Sequence, residues 1–441
     1  MKNRERKNRE QSDAVLVVGA GIGGMGAALL LAEAGFQVHL LDRAPSIGGS
    51  QPLLDRTFPT NSCGLCFMSP LPPAYCPFIE CDRHPNIHLL PYAEVEGLEG
   101  EPGRFQVTIR QKARYVDPAR CDGCGACAAV CPVEVPRELG EGLETRKAIY
   151  RPYPQAVPNA FLIDMAACTR CGECLEVCQP GAIDFEQEDE LRQLEVGAVL
   201  LSPGFAPFDA RAKGEFGYGL YPNVLTSFQF ERMLSLTSPS GGLPQRPSDG
   251  KTPRRIAFIQ CVGSRDPAHG RGYCSSVCCM YATKQAMLAR ERAPESRVTV
   301  FYMDMRTFGK GFDRYLERAE GEYGIEYRRS MVSAVKQVPD SQNLRLSYVA
   351  EDGRPREEEF DLVVLSLGFV PPAGTDALAR LGFDLNEHGF CHTDEFSPVE
   401  TTRPGVFVAG AFREPKDIPD TVAEAAGAAA QVAAFLQAAV R

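Results

Sequence analysis

Short apolar runs, most of them ending near glycine and separated by stretches of helical period, set the plan of this 441-residue chain. Ala14-Val-Leu-Val-Val18 has no polar position, and Gln37-Val-His-Leu-Leu41 is nearly as apolar. A strand without inside–outside alternation is covered on both faces, as in a parallel sheet flanked by helices. Arg255-Ile-Ala-Phe-Ile-Gln260 and Val298-Thr-Val-Phe-Tyr302 are of the same kind. So are Ala198-Val-Leu-Leu-Ser-Pro-Gly204, Leu362-Val-Val-Leu-Ser-Leu-Gly368 and Gly405-Val-Phe-Val-Ala-Gly410. Helices are expected at Met25 to Ala34, Tyr281–Glu291 and Phe312 to Tyr323. Residues 87–110 alternate instead (Ile87-His-Leu-Leu, then Phe105-Gln-Val-Thr-Ile109) and read as strands with turns at Glu94–Gly103. Residues 235–255, rich in Ser, Pro and Gly, read as a surface loop. The charged residues 1–12 read as a disordered tail. The Ala-rich stretch Ala423 to Val440 is broken by Glu424, Gly427, Gln431 and Gln437, which makes it a packed amphipathic helix rather than a membrane span. Strands alternating with helices define an α/β chain.

The first apolar strand runs into Gly19-Ala-Gly21-Ile-Gly-Gly24. Gly19 suits a tight turn, Gly21 lets backbone approach a pyrophosphate, and Gly24 lets the following helix pack on the strand. The second strand ends at Asp42, about 20 residues on, where a ribose-binding acid is expected. The glycines alone are a weak signal, but strand, glycines, helix, strand and acid in order make a dinucleotide-binding unit. Arg43-Ala-Pro-Ser-Ile-Gly48-Gly49 then resembles the second phosphate motif of flavoproteins with two dinucleotide-binding domains, which favours FAD over NAD. The runs ending in Gly204 and Gly368 resemble the strand-then-glycine elements that close each nucleotide domain, and the run ending at Gly410 returns to the flavin. Gly204, Gly410, Ala411 and Ile418 join the expected flavin contacts. After Arg255–Gln260 a second glycine fingerprint would mark an NAD(P)H site. The sequence there is Cys261-Val-Gly-Ser-Arg265, so a phosphate cradle is not expected.

Cysteine changes the picture most. Seventeen are present. Cys121, Cys124, Cys127 and Cys131-Pro132 follow the C-x2-C-x2-C-x3-C-P register of two-cluster bacterial ferredoxins. Cys168, Cys171, Cys174 and Cys178 repeat it, with Gln179 ahead of Pro180. Three close thiolates grip one [4Fe–4S] cube, and the fourth of each run ligates the other. One cluster is therefore assigned to Cys121, Cys124, Cys127 and Cys178, the other to Cys168, Cys171, Cys174 and Cys131. Disulfides or zinc would call for different spacings. The module interrupts the flavin domain. The expected plan is flavin domain over 13–111, 189–252 and 371–441, ferredoxin insert over 112–188, and second nucleotide-type domain over 253–370. Cys63, Cys66, Cys76 and Cys81 lie on a Pro-rich segment in no standard register. A cluster, a zinc site and unligated or redox-active thiols all remain open for them. Cys261, Cys274, Cys278 and Cys279 fit either scattered buried thiols or a further cluster in a Gly/Ser-rich loop. Four groups of four leave Cys391 as a structural residue.

Charge narrows the partners. Against 47 basic residues stand 57 acidic ones, a net charge of −10, which argues against nucleic acid. No apolar signal core is expected at the start and no stretch approaches the ~20 apolar residues of a membrane span. Abundant cysteine without an export signal points to a reducing, anaerobic cytoplasm. The six histidines carry no metal-ligand spacing, and no Ser/His/Asp triad is visible.

These features together resemble the A-type subunits of heterodisulfide reductase, the bacterial homologues included. The resemblance rests on Thr60-Asn61-Ser-Cys63-Gly-Leu-Cys66, Arg83-His84-Pro85-Asn86-Ile87, the ferredoxin insert and Gln260-Cys261-Val-Gly-Ser-Arg265-Asp266. It extends through Cys278-Cys279-Met280-Tyr281-Ala-Thr-Lys284-Gln285-Ala286 and Gly410-Ala411-Phe-Arg-Glu-Pro415-Lys416-Asp417-Ile418-Pro419. It implies a thioredoxin-reductase-like fold, bound FAD and a cluster on Cys261, Cys274, Cys278 and Cys279 beside the flavin. It also implies that Lys284 lies near the reactive flavin nitrogen and stabilises a charged reduced form. The separate N-terminal domain and C-terminal second ferredoxin of the archaeal proteins are not in this sequence, so their electron routes are not carried over. The expected role is an electron-transfer subunit serving heterodisulfide-reductase B/C-like partners and a hydrogenase- or dehydrogenase-type donor, as a homodimer within a larger complex. A self-contained NAD(P)H-dependent oxidoreductase like the glutamate synthase small subunit is the competing enzyme reading. A redox sensor is a third, with no output domain in view.

Overall fold

The run Ala14–Val18, buried at every position, is the middle strand of a five-stranded parallel sheet. The order is Val406–Val408, Ala198–Leu201, Ala14–Val18, Gln37–Asp42, Ile87–Pro91. The computed structural model describes residues 12–59 and 76–439. The expected tail up to residue 11, the cysteines Cys63 and Cys66, and the last two residues lie outside the described part. Neighbouring positions on the central strand face different layers. Val15 and Val17 pack with helices Ile22–Glu33 and Ile418–Ala439, while Leu16 and Val18 pack with Phe105, Val107 and Ile109 of a three-stranded antiparallel sheet. Each such buried side chain contributes roughly 1.5–3 kcal/mol, which is why neither face of the strand carries a polar residue.

That antiparallel sheet corrects one expectation. Glu94–Gly103, expected to be turns, is mostly the strand Ala93–Glu101, paired with Arg104–Gln111 around a turn at Pro102-Gly103. As an edge strand it carries glutamates outward, and Gly97 sits at a break in register. Both features imitate a turn. Arg104–Gln111 also pairs with Glu190–Val196, Gln111 lying opposite Glu190. The insert thus leaves the flavin domain and returns to it side by side.

Ala206–Pro207 and Phe369–Val370 pair antiparallel and carry the chain between the two nucleotide-type domains. The second domain is again a five-stranded parallel sheet, ordered Val224–Thr226, Leu362–Leu367, Arg255–Val262, Arg297–Tyr302, Glu326–Arg329. Here the expected boundary at 252 is wrong. Val224–Thr226 and helix Ser227–Leu234 belong to the second sheet and its helical layer. A three-residue edge strand is too short to leave a periodic signal. The flavin-binding helix starts at Ile22, three residues ahead of the expected Met25, and the helix expected to reach Tyr323 ends at Gly321. Cys391 is buried between the flavin-domain sheets, as a structural residue would be.

The insert has a core of only seven buried residues, with Val116, Phe161 and Ile183 among them and six of its cysteines in or against it. So small a core needs covalent or metal support. It is also clamped from outside. Glu144 is ion-paired with Arg232 of the second domain, both nearly inaccessible, and Arg232 Nη2 lies 3.2 Å from Glu144 Oε2. Breaking a buried pair strands a charge at a cost of about 3–5 kcal/mol. Glu144→Ala is expected to lower the stability of the anaerobic holoprotein by that much in denaturant unfolding. A loss below about 1 kcal/mol would show that this contact does not hold the insert.

Candidate functional site

Between the two domains lies a cleft of about 380 Å³. Its floor follows from the glycine turn. Gly19 has φ +100°, in the left-handed region that favours glycine, and a side chain at Gly24 would run into the Gly19 carbonyl oxygen. The helix that follows is capped by Gly21 with no side chain on its first N–H groups, leaving them and the helix dipole to an anion. Asp42 ties the surrounding loops together. Its carboxylate accepts the Ala20 N–H at 2.7 Å and the Ala44 N–H at 2.8 Å. Burial pushes the Asp42 carboxyl up from its usual range, against those two amides and the nearby Arg43 guanidinium. Gly19, Gly21, Asp42, Arg43, Gly49, Gly204, Ala411, Ile418 and Lys284 all line the cleft. Gly24, Gly48 and Gly410 stand one row back. Gly48 donates its N–H to Ala20 O at 2.7 Å, and Gly410 donates to Glu424 Oε2 at 2.6 Å. An uncapped helix N-terminus, a buried ribose-side acid and a long cleft match the needs of FAD.

The far wall holds a contact that the sequence does not announce. Lys284 lies 2.5 Å from Glu231, both side chains nearly inaccessible. It also donates to the Arg56 carbonyl at 2.9 Å. Glu231 further accepts the Asp55 N–H at 3.0 Å and Gln285 Nε2 at 2.9 Å. Lys284 therefore enters the cleft as half of a neutral pair rather than as a bare positive charge. The only hint in the sequence is a Glu-Arg pair set in the apolar run Phe228–Leu234. Phe205 and Phe369 stack at 3.5 Å between centroids along the same cleft.

The ferredoxin cysteines come together as their spacing implies. Cys131, Cys168, Cys171 and Cys174 line one small cavity. Burial, with Cys121, Cys124 and Cys178 close by, pushes the Cys127 thiol up to about 12 against the Ala128 N–H. A thiol that ligates a metal centre is deprotonated, so filling this site would release these protons. Backbone N–H groups already aim at the sulfurs: Arg170 at Cys168 and Ala182 at Cys178, both at 3.4 Å. Arg170 has φ +55° where the first motif has Gly123, a strained conformation kept where surrounding structure over-determines it.

The third set also converges. Burial and the proximity of Cys261, Cys279 and Cys274 raise the Cys278 thiol well above its usual range, against the Tyr281 hydroxyl. Ser276 N–H points at Cys274 Sγ and Arg306 N–H at Cys279 Sγ, each at 3.4 Å. Cys261, Arg265 and Ser276 all have left-handed backbone. Gln260, 8% exposed and next in sequence to Cys261, has neither amide atom partnered among the described residues; its Nε2–H is free to donate to an acceptor such as a cluster sulfur. Cys278 and Cys279 stand in the first turn of helix Cys278–Arg292, not in a loop ahead of it as expected, because the helix starts directly after Val277. Among the described residues no group of three or more Cys, His, Asp or Glu converges tightly enough for a single metal ion. Of the Cys63 set, Cys81 is wholly buried and its thiol donates to Met25 O at 3.8 Å. Burial, with Glu80 and Cys76 nearby, pushes that thiol up to about 12.

The insert reaches the cleft through its proline-rich connection. Tyr153 and Val157 bond to Ser46, and Val157 O accepts the Ile47 N–H at 3.1 Å, beside the Gly48-Gly49 turn.

The model of the pyridine nucleotide-disulphide oxidoreductase family matches residues 173–429. An NAD(P)-binding Rossmann-like domain matches 17–52 and a 4Fe-4S dicluster domain 113–180. The chain is 48% identical over 438 residues to the second form of the CoB–CoM heterodisulfide reductase iron-sulfur A-subunit of Methanopyrus kandleri, covering 97% of this chain and 65% of the relative. It is 46% identical to the corresponding A-subunit of Methanocaldococcus jannaschii, covering 96% and 64%. It thus spans just under two thirds of these curated relatives. Among solved structures, Lactococcus lactis thioredoxin reductase superposes with a TM-score of 0.52 at 15% identity, covering 97% of this chain and all of that one. Thioredoxin reductase of T. acidophilum gives 0.51 at 16%, covering 96% and 97%. Both show the fold alone.

Proposed function

The chain belongs to the pyridine nucleotide-disulphide oxidoreductase family and, within it, to the group of heterodisulfide reductase A-subunits, and on that premise we propose that it is an electron-transfer iron–sulfur flavoprotein subunit. It passes electrons between FAD and [4Fe–4S] clusters and on to partner redox proteins. One observation carries this reading. The cysteines Cys278 and Cys279 open the helix whose Tyr281, Lys284 and Gln285 form the cleft wall, at the end of the sheet where a pyridine nucleotide would otherwise lie.

Bound FAD exchanges electrons in pairs, and the clusters carry them singly. Gly19, Gly21 and the helix at Ile22 would hold the pyrophosphate, and Asp42 the ribose hydroxyls. Lys284, held by Glu231 in the cleft wall, would face the reactive part of the flavin. The ferredoxin insert touches the rim of the cleft through its Tyr153–Val157 connection at Ser46 and Ile47, and the Cys261 tetrad approaches it through the helix that carries Cys278 and Tyr281. If both contacts carry electrons, the flavin can divide an electron pair between two acceptors, which is the bifurcation proposed here. Cys63, Cys66, Cys76 and Cys81 are the proposed ligands of a fourth cluster. The proposed partners are heterodisulfide-reductase B/C-like subunits and a hydrogenase- or dehydrogenase-type donor, with the chain as a homodimer in the complex. A reducing compartment, the cytoplasm, suits fifteen described cysteines of which none is disulfide-bonded. Among the described residues no helix is long and apolar enough to cross a membrane.

Anaerobic iron and flavin analysis tests the cofactor content. About 16 iron atoms and one FAD per chain are expected from four cubes. A value near 12 removes the Cys63 cluster, and one near eight removes the Cys261 cluster as well. Rapid flavin reduction by NADH or NADPH without any partner would instead favour the self-contained NAD(P)H-dependent reading.

A further inference from the structure

Tyr281 stands three residues after Cys278 on the same helix, and therefore on the same face. Its partly exposed ring lines the flavin cleft beside Val277 and Phe369. Its hydroxyl is hydrogen-bonded to Ser227 and Leu367. Ser227 Oγ accepts the Leu367 N–H at 3.3 Å, so its own proton goes to the Tyr281 oxygen, also at 3.3 Å. The Tyr281 proton is thereby directed onward, to Leu367 O at 2.6 Å. Cys278 Sγ lies against that same carbonyl at 3.7 Å, so the thiol and the Tyr281 hydroxyl converge on one oxygen atom. With the thiol protonated, two donors share one carbonyl. Once Cys278 gives up its proton to bind iron, its sulfur becomes an acceptor, and Tyr281 is the side-chain donor beside it.

We propose that Tyr281 couples the two sites, its ring forming the wall between flavin and the third cluster and its hydroxyl setting that cluster's potential through the Cys278 sulfur. The inference rests on the reading of Cys261, Cys274, Cys278 and Cys279 as cluster ligands. Hydrogen bonds to cluster sulfurs stabilise the more negative, reduced state and raise the potential. Tyr281 is a positioning residue, since it acts through Cys278.

The test is a potentiometric titration of the anaerobic holoprotein followed by electron paramagnetic resonance, comparing the parent with Tyr281→Phe. The signal of the third cluster is identified as the one lost when Cys278 and Cys279 are both replaced by Ser. In Tyr281→Phe its midpoint falls, its reduced-to-oxidised ratio at fixed potential dropping by up to tenfold, which is about 59 mV for one electron. Iron content and the ferredoxin midpoints stay put. Ser227→Ala, which keeps the tyrosine but removes the donor that polarises it, gives a smaller shift of the same sign. It serves as the readout should Tyr281→Phe lose its flavin. A third-cluster signal present in both variants at an unmoved midpoint overturns the proposal while leaving the cluster standing. Absence of any signal lost with Cys278 and Cys279 overturns both.

Discussion

Replacing Cys278 and Cys279 together with serine removes about four iron atoms per chain and one resonance signal, and spares the ferredoxin pair and the flavin. Both sulfurs sit at the start of one helix, 5% and 7% exposed, and face Cys261 and Cys274. Loss of two of four thiolates leaves too few ligands for a cube, because serine oxygen is a hard, weakly acidic substitute for a soft thiolate. The domain itself survives. Its sheet is packed on both faces by separate cores, one with Phe230, Phe258 and Met287 and the other with Phe301, Leu346 and Phe360. The insert behaves oppositely. With seven core residues it relies on its clusters for folding energy, so the same exchange at Cys174 unfolds the insert rather than silencing one signal. Iron near the parent value with an unchanged spectrum in the Cys278/Cys279 variant would sink the third-cluster assignment.

The parts legible in the sequence are those whose physics is local. Buried strands write unbroken apolar runs, and Ala14–Val18 or Leu362–Leu367 can be read at sight. The ferredoxin motif is local as well, and Cys131 shares a cavity with Cys168, Cys171 and Cys174, as the proposed crossed pairing requires. What escapes depends on distant parts of the chain. Val224–Thr226 is a strand only because Leu362–Leu367 lies beside it. Ala93–Glu101 is an edge, and its outward glutamates hide the alternation. Cys278 and Cys279 look like loop residues because Gly272, Ser275 and Ser276 precede them, yet the helix begins directly at Cys278. Glu231 is invisible for the same reason. Its partner is 53 residues away, and a glutamate in an apolar helix announces a buried charge without naming what neutralises it.

That partner reverses a simple expectation about the flavin. A lone Lys284 would favour negative charge arriving in the cleft on reduction, but the ion pair with Glu231 cancels most of its field. Glu231→Gln and Lys284→Met should therefore move the flavin midpoint in opposite directions. In Glu231→Gln the shape is kept, the Asp55 N–H still finds an oxygen, and Gln285 Oε1, buried without a partner among the described residues, can accept from the new amide. The lysine charge is uncovered and the midpoint rises. In Lys284→Met the glutamate keeps two N–H donors, a negative charge is uncovered, and the midpoint falls. One charge at about 8 Å in a medium of effective dielectric near 20 interacts by about 2 kcal/mol, or roughly 30–60 mV for a two-electron couple. Glu231→Ala differs again. It strands a buried ammonium and should cost about 3–5 kcal/mol of stability, read as loss of flavin on mild heating. Spectroelectrochemical titration of the flavin in the two isosteric variants decides the matter. Shifts of equal sign, or none in either, would mean that the pair does not face the flavin and that Lys284 serves only to tie helix Cys278–Arg292 to helix Ser227–Leu234.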